Sequence, residues 1–129
     1  IRLSPIWGLS LYDIYIIIYM EVRFYKTSSG RCPLLEFLRL LSKDIQEQFA
    51  DAVQVLEEGK MISMPISRPL SGIHRGLHEL RLKDRSGIYR VFYFIKATEA
   101  IYMLHGFKKT TQVLPRKELT LMRQRIKEL

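Results

Sequence analysis

Cysteine occurs once in this sequence, at position 32, and histidine three times. One cysteine makes no intramolecular disulfide and builds no zinc site alone, so a reducing, cytoplasmic setting is expected. Glycine is sparse, at seven residues, and no glycine-rich phosphate loop is present. His74 and His78 are four apart, but Gly76 lies between them and His78 opens a strand pattern, so helical metal spacing does not apply. No Ser/His/Asp arrangement stands out either, and neither a metal nor a cofactor is expected. No apolar run reaches the ~20 residues that a membrane-spanning helix needs, and no membrane partner is expected. Repeats, low-complexity tracts and a second-domain linker are absent. Acidic residues are scarce in one half: residues 67–129 carry five Asp/Glu against fourteen Lys/Arg, a net of +9, whereas residues 20–66 carry seven against six, a net of −1. A basic excess placed on one part of a chain attracts a polyanion or an acidic protein.

What is present fits one modest domain of ordinary globular composition: 129 residues, 47% hydrophobic and 26% charged. Residues 1–19 are apolar, rich in Ile and Tyr, and interrupted by Asp13. A secretory signal is disfavoured by that aspartate and by the lack of a small-residue cleavage site. The expectation is a non-family extension over 1–19, dispensable for folding, and a single domain over 20–129 starting at Met20. Met20 to Lys26 alternates as a strand. Pro33 suits a first helical position, opening a short apolar helix through Leu41. Ser42 caps a second helix in which Ile45, Phe49, Ala52, Val53 and Leu56 recur at helical spacing and which Gly59 ends. This helical hairpin is expected to cover one face of a sheet, with its apolar stripes as core. Residues 61–73 read as a connector, in which Arg68 begins the basic half.

The densest signal runs from Leu77 to Lys109 and reads as a three-stranded antiparallel meander. Leu80 and Leu82 alternate with Glu79, Arg81 and Lys83, which places the charged set on an open polar face. Asp84 to Gly87 is a turn cluster. Ile88 to Ile95 is apolar on both faces, as in a doubly covered central strand, and only Arg90 interrupts it. Ile101 to Lys108 is the third strand. Pro115 then starts a helix with Leu119, Met122 and Ile126 on one side and Arg116, Lys117, Arg123, Arg125 and Lys127 more exposed. The fold class is therefore α+β.

Adjacent strands thus bring Arg81, Arg90, His105 and the Lys108–Lys109 pair towards one patch. A metal-free set of Arg, Lys, His and Tyr suits cleavage of RNA by its own ribose. The 2′-OH attacks phosphorus, charge grows on the phosphoryl oxygens, and arginine forks stabilise it. Histidine moves protons near neutral pH, and Tyr89 or Tyr93 would stack an unstacked base. A buried guanidinium at Arg90 needs a partner, which is either the scissile phosphate or a structural carboxylate such as Glu79.

The motifs Leu77-His78-Glu79-Leu80-Arg81, Gly87-Ile88-Tyr89-Arg90-Val91-Phe92-Tyr93 and Leu104-His105-Gly106-Phe107-Lys108-Lys109, followed by a Pro-started helix, resemble the RelE/HigB-type toxins of toxin–antitoxin modules. The phage-derived branch is the nearest. The resemblance covers roughly 20–129 and implies a RelE-like fold of N-terminal strand, helical hairpin, antiparallel meander and C-terminal helix. It implies an endoribonuclease, an mRNA interferase cutting mRNA in the ribosomal A site, and a cognate antitoxin, often a helix-turn-helix protein. Carried over by position, Arg81 and Arg90 become phosphate and transition-state contacts. His105 becomes a proton carrier or a structural residue, and Lys108 and Lys109, with Lys83 beside them, become RNA contacts. His78 stands where the family commonly has Tyr, and the lysine cluster gives way to Thr110 and Thr111. Two other classes fit the same basic face: a non-catalytic nucleic-acid-binding module, and a phage-derived protein whose partner is another protein.

Overall fold

A computed structural model describes residues 20–97 and 99–129, so the expectation about residues 1–19 lies outside the described residues. The chain forms strand β1 (Val22–Phe24), helices α1 (Pro33–Arg39) and α2 (Lys43–Glu57), strands β2 (Ser67–Pro69), β3 (Leu77–Asp84), β4 (Gly87–Lys96) and β5 (Ala100–Lys109), and helix α3 (Arg116–Lys127). The five strands make one mixed sheet in the order β1-β5-β4-β3-β2. The α+β class and the strand, hairpin, meander and helix order follow the sequence reading. Among the described residues, no helix is long and apolar enough to cross a membrane.

Local chemistry sets the boundaries. Pro33 occupies the first turn of α1. The Ser42 hydroxyl accepts the Ile45 N–H at 3.2 Å and donates to Asp84 Oδ2 at 2.6 Å, so one side chain caps α2 and ties it to the β3–β4 turn. That turn closes as Asp84 Oδ1 accepts the Ser86 N–H, with Gly87 at φ 144°. Two features were not foreseen. β1 is only three residues long and pairs parallel with β5, through Val22 and Ile101. Part of the connector is a strand: β2 pairs antiparallel with β3 and sets Arg68 opposite Glu79.

The two faces of the sheet carry separate cores. The helical hairpin packs Leu34, Leu38, Ile45, Phe49 and Leu56 onto Leu80, Leu82, Tyr89, Val91, Tyr93 and Met103. Each such fully buried side chain contributes about 1.5–3 kcal/mol. Gly106 lets α1 approach β5 closely, because a Cβ there would stand 2.8 Å from Leu34 Cδ1. Leu40, expected in this core, is instead 85% exposed in the turn between α1 and α2.

On the opposite face α3 lays Met122, Leu119 and Ile126 over Leu77, Phe92 and Leu104. A register shift between Phe92 and Tyr93 turns both Leu104 and His105 towards α3. Arg125, expected on the exposed side, is buried: its Nη1 donates to the Leu104 carbonyl at 2.7 Å and its guanidinium lies 4.8 Å from the Tyr25 ring centre.

Candidate nucleic-acid interface

Alternation along β3 and β4 decides which charges meet. Glu79 and Arg81 on β3, and Arg90 on β4, point to the face that carries α3, and Arg81 is the register partner of Arg90. Arg68 joins them from β2 and Lys109 from β5. Glu79 is completely buried and Arg90 is 1% exposed, and these two form the floor. Glu79 Oε2 stands 3.4 Å from Arg90 Nη1 and 3.8 Å from Arg68 Nη2, while Oε1 accepts Arg81 Nε at 3.1 Å. Arg68, Arg81 and Lys109 are half-exposed and form the rim.

The expectation that Glu79 and Arg81 share an open polar face is corrected here. The strand alternates as read, but the arginines close over the carboxylate. Arg90 therefore has the structural partner named as one of its two options.

Four cations face one carboxylate in this cluster, so positive charge is in excess. The pairing is also incomplete, since Arg68 Nε, Arg90 Nε and Glu79 Oε2 are buried without a hydrogen-bond partner. Burial pushes Arg90 below the ordinary guanidinium range; Glu79 opposes this, and Arg81 and Arg68 add to it. Arginine nevertheless stays protonated in proteins. Desolvation lowers the Lys109 ammonium as well, reinforced by the charges of Arg90 and Arg81. An anion placed over the rim relieves that repulsion, and a phosphodiester matches the fork geometry of the two outer arginines.

The other residues read as site candidates fall elsewhere. Tyr93 is fully buried on the hairpin face, with its hydroxyl 2.6 Å from Ser67 Oγ, and burial raises its phenol pKa. Tyr89 is 6% exposed on the same face, its hydroxyl 2.7 Å from Ser86 Oγ. Both are core residues, and neither offers a ring for base stacking. Lys108 and Lys109 are neighbours in a strand and so point to opposite faces. Lys108 lies over the Tyr89 ring at 5.9 Å on the hairpin face, and only Lys109 joins the arginines. Lys83 is exposed on β3, two residues beyond Arg81 and on the same face by alternation.

His105 is also reassigned. Its Nε2 bonds Glu118 of α3 at 2.8 Å, and Arg125 Nη1 stands 3.3 Å from its Nδ1. With a carboxylate accepting at Nε2, the neutral ring carries its proton there and accepts from Arg125 at Nδ1. Burial lowers its pKa, with Glu118 acting the other way. Both nitrogens are engaged with α3, so His105 docks that helix and is not placed to carry a proton for a substrate. Arg68 is the cluster residue that sequence reasoning left out of the site. Its only signal was its charge, because β2 is too short to show a period. Among the described residues, no three His, Cys, Asp or Glu side chains gather as a metal-ligand group.

The family model described as "Phage derived protein Gp49-like (DUF891)" matches residues 36–127, from within α1 through α2, the meander and α3. No curated protein matches the sequence.

Proposed function

The chain belongs to the phage-derived Gp49-like family, a toxin–antitoxin-associated, RelE-like family, and on that premise we propose that it is the toxin of such a module, of HigB type, and a metal-independent endoribonuclease acting on mRNA at the ribosome. The observation that carries this reading is the half-exposed rim of Arg68, Arg81 and Lys109 over the buried Glu79–Arg90 pair. Arg81 and Arg68 grip the phosphate of the scissile link. Arg90 holds Glu79, and Glu79 in turn fixes the Arg81 fork. In the reaction the 2′-oxygen loses its proton and bonds to phosphorus, and the P–O5′ bond breaks. The 5′-oxygen takes up a proton, leaving a 2′,3′-cyclic phosphate and a 5′-hydroxyl. Lys109, whose proton is loosened by its surroundings, is the group in the cluster suited to proton transfer.

Family membership implies an antitoxin partner, which in this reading is a helix-turn-helix protein encoded beside the toxin. Expression of the chain should arrest growth and fragment cellular mRNA, and co-expression of the adjacent gene should restore growth. Arg81→Ala should abolish both effects. Vigorous growth with verified folded protein would sink the proposal.

A second reading, an RNA-binding module that blocks translation without cutting, is favoured by the engagement of both His105 nitrogens. Growth arrest with intact mRNA would select it.

A further inference from the structure

A groove of about 450 Å³ runs between α2, the connector that follows it and the outer edge of β3. Asp51 and Val55 of α2, Met61, Met64 and Ile66 of the connector, and Arg81 of β3 line it. Met61 is 68% exposed, Met64 64% and Ile66 54%. Three large apolar side chains that close together in sequence, all turned to water, are unusual unless something covers them. Methionines in particular adapt to the shape of what they cover.

Asp51 and Arg81 are the charged residues that line the groove, and α2, which supplies Asp51, carries further carboxylates. On α2, Asp44, Gln48, Asp51 and Val55 follow one another at helical spacing. Gln48 is committed elsewhere, since its amide bonds both the carbonyl and the N–H of Lys83 and so closes the free edge of β3. Among the described residues, no cation lies within ion-pairing distance of Asp44, Glu47, Asp51 or Glu57. Unpaired carboxylates on α2, Asp51 at the groove among them, accept lysine or arginine.

We propose that this groove is the seat of the antitoxin, taking an amphipathic segment whose apolar side chains cover Met61, Met64 and Ile66 while its basic side chains pair with Asp51 and the acidic face of α2. This inference rests on the toxin–antitoxin reading, which supplies the partner, and it assigns that partner's surface and chemistry. Arg81 belongs to the groove and to the arginine cluster at once. It meets the groove at the sheet edge, where its N–H bonds the Ile66 carbonyl at 2.7 Å, while its side chain is held by Glu79 on the face that carries α3.

The test uses the full chain, the protein encoded by the adjacent gene, and titration calorimetry. Met61→Lys with Met64→Lys, and Asp51→Lys separately, alter only exposed side chains. Each variant should raise the Kd for the adjacent-gene product by tenfold or more, while the free variant still cleaves mRNA and arrests growth. Leu40→Lys, at an exposed leucine that does not line the groove, should leave the Kd unchanged. A photo-reactive benzoylphenylalanine replacing Ser63, at the groove, should cross-link to the adjacent-gene product in the neutralised complex. Unchanged Kd values for both groove variants would overturn the inference while leaving the nuclease reading intact. So would a cross-link solely to a second copy of this chain, to residues 1–19 of the same chain, or to mRNA. Absence of any complex with the wild-type chain would overturn it as well, whereas failure of wild-type cleavage would count only against the nuclease reading.

Discussion

Arg90→Ala removes one member of a pair that is closed to water on both sides. Glu79 is completely buried and Arg90 is 1% exposed, with 3.4 Å between Oε2 and Nη1. Breaking such a pair by deleting one partner costs about 3–5 kcal/mol, because the remaining charge stays desolvated. Here Glu79 keeps Arg81 at 3.1 Å and Arg68 at 3.8 Å, which places the loss at the lower end, about 3 kcal/mol. For a domain of this size 1 kcal/mol moves the midpoint by about 4 °C, so Tm should fall by about 12 °C. Circular dichroism at 222 nm during heating, with urea midpoints alongside, reads this directly. Replacing both members, Glu79→Leu with Arg90→Met, leaves no buried charge, since Arg68 and Arg81 are half-exposed and solvate. The double variant should therefore be more stable than Arg90→Ala, with a coupling of at least ~1 kcal/mol in the double-mutant cycle. An Arg90→Ala midpoint within ~2 °C of wild type would refute the argument and return Arg90 to the substrate side of the site.

Arg81→Ala, read beside its own unfolding curve, should lower single-turnover mRNA cleavage by ~10²-fold or more, as loss of one preorganised donor does. Arg81→Lys should also be impaired, because a point charge does not reproduce the fork; wild-type rates for both would exclude Arg81 as the phosphate contact. Tyr93→Phe leaves Ser67 Oγ buried without its partner and should cost about 1–3 kcal/mol in urea unfolding while cleavage holds. A cleavage defect in that stable variant would restore the tyrosine to the site. Gly76 has φ 86°, and a Cβ there would stand 2.7 Å from the Ile95 carbonyl oxygen. Gly76→Ala should destabilise by about 2 kcal/mol, and an unchanged urea midpoint would contradict the geometry. His105 is held below the usual imidazole range by burial, so its folded pKa lies under its unfolded one. The unfolded chain takes the proton first as pH falls, and stability present above ~6.5 is lost below it. Wild-type Tm should therefore drop more between pH 7 and pH 5 than that of His105→Gln; equal drops would show that His105 does not govern this window.

The meander was legible because its strands alternate, Asp84 to Gly87 is a turn by composition, and Pro33, Ser42 and Pro115 mark helix starts. The need for a partner at Arg90 was legible too, since one guanidinium in IYRVFYFI has nowhere cheap to go. What covers each face was not. Strand β4 is apolar on both sides, so nothing local says that Tyr89 and Tyr93 meet the hairpin while Phe92 meets α3. Glu79 illustrates the same limit: alternation fixed its face, but only the assembled sheet brings Arg68, Arg81 and Arg90 over it. The separation of Lys108 from Lys109 was available from strand periodicity, yet the family-like motif drew them together. Arg68 and the parallel β1–β5 pairing depend on three-residue strands, which are too short for a period to register.

The most direct test of the central claim is the chemistry of the RNA ends produced by the purified chain on ribosome-bound mRNA, without added metal beyond what the ribosome requires. New 5′-hydroxyl ends paired with 2′,3′-cyclic phosphates should be produced by the wild type and lost in Arg81→Ala. Intact mRNA in the presence of folded, ribosome-associated protein, or 5′-phosphate ends, would contradict that claim.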